Sequence, residues 1–335
     1  LSYEIYKRMP NDTDLSISRG EGFAGLNFAF ISGLYDYHAM SDTPENLDAD
    51  TLAQQANNVL STARYFANLA EWQHSTTDKT YFNLWRGVLV SYSETVAVIL
   101  GVAVLLFGLW MFIGAIRSGK LAWNSLGTGV LCIFALLIMV SNGFESLIDY
   151  QRTADAGIQR LISLGEWPLL AYFVTSLGMV AWFSQAIRQG LSRLEILIPA
   201  LVLALMSLLA GRPWFSAVLL LLILIPVLQL IASRKMPADI WGAGLMLWWL
   251  LAALGLYFSA NASYLFIWPL ASVLLGIAVQ IRLQRAGHSN GRFITMLAAA
   301  IIPLMILSPI IIMAYLALGS SLPQGIMIFC VLSLI

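Results

Sequence analysis

Charged residues are scarce in this chain. Only 11% of its 335 residues are Asp, Glu, Lys or Arg, whereas soluble globular domains contain about 25%. The formal net charge is zero, which argues against a polyanionic partner such as nucleic acid. Hydrophobic residues make up 59% of the sequence. Most of the chain is therefore predicted to lie in a membrane.

Cysteine and histidine are also rare. The two cysteines, Cys132 and Cys330, each lie in an apolar run, which argues against a disulfide framework or a cysteine-ligated metal. The three histidines form no H-E-x-x-H motif. The sequence starts without a methionine or a signal peptide and stops within a short apolar stretch, residues 326–335. We interpret it as a fragment of a longer protein.

The first 80 residues have the composition of a soluble segment and contain eleven of the 18 acidic residues. The apolar run 24–31 follows two glycines and predicts a buried strand. Apolar residues recur at helical spacing from residue 52, which predicts an amphipathic helix over about 50–71, packed on a sheet. A strand, a turn-rich loop and a helix are typical of the end of an α/β domain.

Long apolar runs follow, and residues 81–335 are predicted to form an all-α transmembrane domain. Crossing the hydrocarbon core takes about 20 apolar residues. About eight complete spans and a truncated ninth are expected. The complete spans are roughly 96–116, 126–144, 168–187, 194–211, 213–232, 240–259, 263–281 and 293–318.

The loops between the spans predict the orientation. Nine basic residues follow the first, third, fifth and seventh spans, whereas the intervening loops contain three. The basic loops are expected to be cytoplasmic, which places residues 1–80 in the periplasm or an organelle lumen. Short loops favour a bacterial inner membrane over the endoplasmic reticulum or vacuole. The nine are Arg117, Lys120, Arg188, Arg193, Arg234, Lys235, Arg282, Arg285 and Arg292.

Four polar residues lie in or beside the spans: Glu94, Asn142, Gln229 and Asn261. We expect interfacial or helix-packing roles for them rather than chemistry.

Only about 10–15 residues separate the amphipathic helix from the membrane, so the outer segment is predicted to lie near the bilayer. Tyr81, Phe82 and Trp85 are predicted to act as interfacial anchors there.

One cluster in the soluble segment could carry chemistry. His38 follows the predicted strand and is surrounded in the sequence by Asp36, Tyr37 and Asp42. An imidazole at a strand end with a carboxylate nearby is a common metal-ligand arrangement. A surface histidine with ordinary acidic neighbours remains the alternative from the residues alone.

Three motifs carry a resemblance to a known family. D-T-D-L (12–15), G-F-A-G-L-N-F-A-F (22–30) and Y-H-A-M-S-D-T-P-E-N-L-D (37–48) resemble the end of the catalytic domain in the two-zinc exopeptidases. That family contains aminopeptidases and is related to glutaminyl cyclases. Residues 81–92, Y-F-N-L-W-R-G-V-L-V-S-Y, resemble the phrase that leads into about nine spans in its membrane-anchored members, the vacuolar membrane proteases and the endoplasmic reticulum metallopeptidase. The motifs cover about residues 4–95.

The resemblance implies roles for four residues. His38 matches the last zinc ligand, and Tyr37 matches a tyrosine that in some members hydrogen-bonds the oxyanion. Asp14 aligns with an active-site carboxylate, and Asp42 is expected to be a second-shell group or a cap that closes the loop. Ala24 and Ala39 depart from the family pattern, but neither position is a ligand.

The resemblance also implies a function: a membrane-bound, zinc-dependent exopeptidase, with aminopeptidase activity on peptide substrates. A two-zinc centre takes about five protein ligands and a general base. In the family the others lie upstream of the D-T-D motif, so this fragment, with one ligand, is expected to be inactive alone. The alternative is a non-enzymatic transporter or scaffold with an extracytoplasmic binding domain.

Overall fold

The computed structural model describes residues 13–23, 25–28, 40–71, 77–85, 88–127, 129–130, 133, 240–287 and 292–318. Its elements, in chain order, are α1 (Asp14–Gly20), a 3-10 helix (Pro44–Asn46), α2 (Ala49–Ala67), β1 (Lys79–Trp85), β2 (Val88–Ser93), α3 (Glu94–Arg117), α4 (Ile240–Phe258), α5 (Tyr264–Arg285) and α6 (Arg292–Leu318).

Helix α2 confirms a helix in the soluble segment, one residue earlier at its start and four residues shorter at its end than expected. It starts at Ala49 because the carboxylate of Asp48 accepts a hydrogen bond from the backbone N–H of Thr51, at 2.7 Å. The hydroxyl and the backbone N–H of Thr51 both donate to this carboxylate and hold the pKa of Asp48 below its ordinary 3.8. Helix α2 buries no residue, and the described part of the chain contains no sheet beneath it.

Four of the eight residues of the predicted strand 24–31 lie outside the described residues. Residues 25–28 are described and form neither strand nor helix.

A β-hairpin precedes the first membrane-length helix, and the sequence analysis did not predict it. Strands β1 and β2 pair antiparallel from Lys79 opposite Ser93 to Trp85 opposite Val88, with an irregularity between Asn83 and Trp85. Side chains alternate along the hairpin, as the pleat requires. Thr80 and Phe82 are buried, whereas Tyr81 and Asn83, which alternate with them, are exposed.

Four described helices are long and apolar enough to cross a membrane: Glu94–Arg117, Trp241–Phe258, Tyr264–Arg285 and Ile294–Ile311. They confirm membrane-length helices at the predicted spans 96–116, 240–259, 263–281 and 293–318. Residues 123–127 are also helical, at the start of the predicted span 126–144. Residues 129, 130 and 133 of that span are helical too, whereas its other residues, the three spans between 168 and 232 and the truncated ninth lie outside the described residues.

Small residues let these helices approach closely. A Cβ placed on Gly101 of α3 would lie 2.7 Å from the side chain of Leu256, and one on Gly108 would lie 2.8 Å from that of Trp249, so α3 and α4 run antiparallel. The indole N–H of Trp249 donates to the carbonyl of Leu105 at 2.9 Å. Close approach and interhelical hydrogen bonds are what hold helices together in lipid.

The hairpin packs on one end of this bundle. Phe82 stacks on Tyr264, with ring centroids 4.3 Å apart and an interplanar angle of 6°. Both rings belong to a buried cluster with Leu265 of α5 and with residues from the second half of α6, namely Ile306, Leu307 and Ile311. Helix α3 continues directly from β2, so α3 and α5 both begin at the hairpin end.

Two hydrogen bonds complete this contact. The hydroxyl of Thr80 donates to the side-chain carbonyl of Asn261, at 3.0 Å in a buried position, and the indole of Trp268 donates to the hydroxyl of Tyr92 at 3.1 Å. Burial raises the pKa of Tyr92, although its hydrogen bonds with Trp268 and Thr80 act in the opposite direction. The hydroxyl of Tyr92 therefore stays protonated at neutral pH.

These contacts revise one of the predicted roles and support another. Phe82 is 8% exposed and is not an interfacial anchor, because the strand turns it toward α5. Tyr81 is 48% exposed, and the side chain of Trp85 is outside the described residues. Asn261 packs between elements as predicted, and Glu94 is exposed at the start of α3. Asn142 and Gln229 lie outside the described residues.

Helix α2 should lose its first turn when its cap is removed. We expect Asp48→Ala to speed amide hydrogen exchange at Thr51, whereas Asp50→Ala, in the same turn, should change it little. The lowered pKa means that the cap stabilises the helix above pH 3.8 and is lost as the pH falls through the folded-state pKa. Exchange at Thr51 that is equal in both variants would contradict this role of Asp48.

The buried Thr80–Asn261 pair should also be measurable. Thr80→Val leaves the side-chain carbonyl of Asn261 buried without a donor, so we expect a loss of about 1–3 kcal/mol of stability. Thr80→Ser keeps the hydroxyl and should cost less, and Thr80→Val combined with Asn261→Leu should recover part of the loss. Unfolding of the purified protein in detergent tests this, and an unchanged stability of Thr80→Val would disprove it.

Candidate functional site

The first motif, D-T-D-L, leads into α1. Asp14 is the first residue of this helix, and its side chain is exposed to solvent. A carboxylate in the first turn is favoured by the partial positive charge of the helix N-terminus. The main-chain carbonyl of Asp14 accepts a hydrogen bond from the hydroxyl of Ser18 at 3.0 Å. The predicted active-site carboxylate therefore lies at an accessible helix start.

The second motif begins where α1 ends. Gly22 has a φ of +84°. Its backbone N–H donates to the carbonyl of Arg19, and that of Phe23 donates to the carbonyl of Ser18. This is the Schellman arrangement, in which the residue after the helix cap takes the left-handed conformation that glycine adopts without strain. The glycine that opens the G-F-A-G-L-N-F motif thus has a structural role.

These two motifs lie against each other. A Cβ placed on Gly25 would lie 2.6 Å from the Cδ1 atom of Leu15. The side chain of Leu15, the last residue of D-T-D-L, therefore covers the backbone of the G-L-N-F segment. The turn at Gly22 brings the segment back over α1.

The third motif forms a closed loop that feeds α2. The carbonyl of Ser41 accepts hydrogen bonds from the backbone N–H of Thr43 at 2.9 Å and from the side-chain amide of Asn46 at 2.8 Å. Pro44 starts the 3-10 helix, a position that needs no N–H donor. The backbone N–H of Glu45 and the hydroxyl of Thr43 hold the pKa of the Glu45 carboxyl below its usual value.

The aspartates of this loop differ in what they do. Asp48 caps α2, a role that the sequence analysis had not assigned to it and that its position just before the helix could have indicated. Asp42 was expected to be either a loop cap or a second-shell group, and its side chain is exposed. The second-shell role of Asp42 stays a prediction, since it depends on His38.

His38 and Tyr37 lie outside the described residues. The structure therefore places two of the four predicted site residues, Asp14 and Asp42, and does not test how they meet the other two. No group of three or more His, Cys, Asp or Glu side chains that could hold a metal ion occurs in the described part of the chain. Asp14 and Asp42 do not by themselves fit a two-zinc centre.

The comparisons with known proteins bear on the soluble segment. Residues 2–63 match the family model described as Peptidase family M28. No curated protein and no solved structure matches the chain. The matched segment contains all three motifs and the first part of α2, and it covers less than half of the chain. This segment is thus related to a family of hydrolases that are generally zinc-dependent peptidases, and four helices of membrane-spanning length lie in the chain beyond it.

Proposed function

We propose that this chain is the membrane-anchoring part of a zinc-dependent exopeptidase that removes amino-terminal residues from peptides outside the cytoplasm. The observation that carries the proposal is the M28 match over residues 2–63, which includes Asp14, Tyr37, His38 and Asp42. In this proposal His38 is a zinc ligand, Tyr37 hydrogen-bonds the oxyanion, and Asp42 helps to orient the site. The remaining ligands and the general base precede the D-T-D motif, as they do in the family.

The local structure supports this reading of the motifs. Gly22 ends α1 with a positive φ, and the side-chain amide of Asn46 donates to the backbone carbonyl of Ser41. The side chain of Leu15 covers the G-L-N-F segment. These interactions shape the chain on both sides of the segment that contains His38. The fold can fix the position of a metal ligand when it fixes the chain on both sides of that ligand.

The connection to the membrane is short. Eleven residues, 68–78, separate the end of α2 from the start of β1. The hairpin that follows is itself docked on α5 through Phe82 and on the turn before α5 through the bond from Thr80 to Asn261. The peptidase-related segment is therefore connected to the bundle at the hairpin end by eleven residues. In the proposal this end faces the periplasm or a lumen.

The orientation can be tested with introduced cysteines. Residues 118 and 289 lie in basic loops, so Ser118→Cys and Ser289→Cys should be protected from a membrane-impermeant thiol reagent in intact cells. Ser75→Cys, before the hairpin, should react. The reverse labelling pattern would contradict the orientation and, with it, a peptidase that acts outside the cytoplasm.

The zinc site is tested by His38→Ala in the complete protein. Loss of a direct ligand should cost more than the roughly 10–100-fold in metal affinity or activity that loss of a second-shell partner costs. Folding should be little affected, because the membrane helices and the hairpin pack on one another without this residue. The measurements are zinc content and aminopeptidase activity of the purified variant.

His74→Ala is the matched control, since this histidine lies in the polar stretch H-S-T-T-D-K beyond α2. It should retain both zinc and turnover. A His38→Ala variant that also retains both would disprove the role of His38 as a ligand and the peptidase assignment of this segment.

A further inference from the structure

Basic residues gather at the ends of three membrane-length helices. Arg117 is the last residue of α3, Arg282 and Arg285 lie in the last turn of α5, and Arg292 begins α6. Lys120 follows within one turn of the end of α3. The side chains of Arg117, Lys120, Arg282 and Arg285 are exposed.

The contact at Gly108 aligns α3 with α5. A Cβ placed on Gly108 would lie 3.3 Å from the Cδ1 atom of Leu274. The two helices run in the same direction from the hairpin, so α3 reaches Arg117 nine residues beyond the contact, and α5 reaches Leu283, next to Arg282. At 1.5 Å per residue both points lie about 13 Å beyond it. Arg117 and Arg282 are therefore at the same depth to within about one helical turn.

The contact at Gly276 aligns α6 with the same level. A Cβ placed on Gly276 would lie 2.6 Å from the Cβ of Ala299, and the second half of α6 packs at the hairpin end, so α5 and α6 run antiparallel. Seven residues onward along α5 is Leu283, and seven residues back along α6 is Arg292. The backbone thus places Arg292 at the level of Arg282.

The length of α5 gives the distance between the level of Arg282 and the hairpin. Eighteen residues separate Tyr264, which stacks on Phe82, from Arg282. That length is about 27 Å of helix, close to the roughly 30 Å of a bilayer's hydrocarbon core. When the hairpin end is at one membrane surface, the basic residues are at headgroup depth in the other leaflet.

Acidic residues do not balance these charges within the helices. Within the four helices α3, α4, α5 and α6 themselves, Glu94 is the only Asp or Glu, and it begins α3 at the hairpin end, 23 residues before Arg117. An excess of positive charge therefore collects at one depth.

We propose that Arg117, Lys120, Arg282 and Arg285 form a basic belt that binds the phosphate groups of anionic phospholipids in the leaflet opposite the hairpin. Arginine suits this partner because its planar guanidinium donates two parallel hydrogen bonds to phosphate oxygens. The attraction of basic residues near a membrane surface to anionic lipids adds to this. The belt would hold a shell of anionic lipid around these helix ends, and the inference does not depend on the peptidase proposal.

Lipid binding to the purified protein tests the belt. The full chain is reconstituted in phosphatidylcholine nanodiscs, and the affinity for added fluorescent phosphatidylglycerol is measured. Each neutralised arginine should weaken binding about fivefold, so R282Q/R285Q should weaken it roughly 25-fold. The matched control is R64Q/K79Q, which removes two exposed charges outside the belt, one on α2 and one at the start of β1, and should leave the affinity unchanged. R282K/R285K keeps the charge but loses the paired hydrogen bonds of the guanidinium, so it should bind more weakly than the unchanged protein and more tightly than R282Q/R285Q.

Three results would overturn the proposal. One is undiminished phosphatidylglycerol affinity in R282Q/R285Q. Another is an equal loss in R64Q/K79Q, which would make the attraction a property of total charge. The third is displacement of the lipid by inorganic phosphate beyond that caused by chloride at the same ionic strength, which would assign the belt to a free phosphate ligand instead of a lipid.

Discussion

The stacking of Phe82 on Tyr264 joins the hairpin to the bundle, and the described architecture depends on it. The two rings are nearly parallel and are buried with apolar side chains from α5 and α6. Aromatic pairs of this kind contribute about 0.5–1.5 kcal/mol beyond the area that they bury. The Thr80–Asn261 and Trp268–Tyr92 hydrogen bonds satisfy the polar groups beside the rings, so the contact leaves no unpaired donor or acceptor among them.

This contact gives the bundle two different ends. At one end the hairpin covers the start of α5, and the short segment 68–78 leads from there to α2 and the peptidase-related motifs. At the other end α3 and α5 finish in arginines, about one hydrocarbon thickness away. The chain therefore fixes both where the soluble segment attaches and at what depth its basic residues lie.

The sequence predicted those parts of the fold that depend on local pattern. Apolar runs of about 20 residues predicted the helices that became α3 to α6, because burial in lipid requires little more than length and hydropathy. Helical spacing of the apolar residues from Leu52 predicted α2, because periodicity is also a local pattern. The hairpin was not predicted, although Thr80, Phe82 and Leu84 alternate with exposed residues. Its aromatic residues were interpreted as interfacial anchors, and the partner of Thr80 lies 181 residues away, beyond any local pattern.

The candidate site, like the fold, was predictable from local sequence only in part. From the residues alone, His38 was a candidate metal ligand that could not be ranked above an ordinary surface histidine. The resemblance of the motifs implied the roles of Tyr37, Asp14 and Asp42. The structure shows how two motifs pack through Leu15 and how a third caps α2 through Asp48.

A spin-label distance measurement tests most directly whether the hairpin is docked on the bundle. With Cys132 and Cys330 replaced, labels at the exposed positions Tyr81 and Tyr257 should give one narrow distance distribution in nanodiscs, whereas a broad distribution would contradict the docked hairpin.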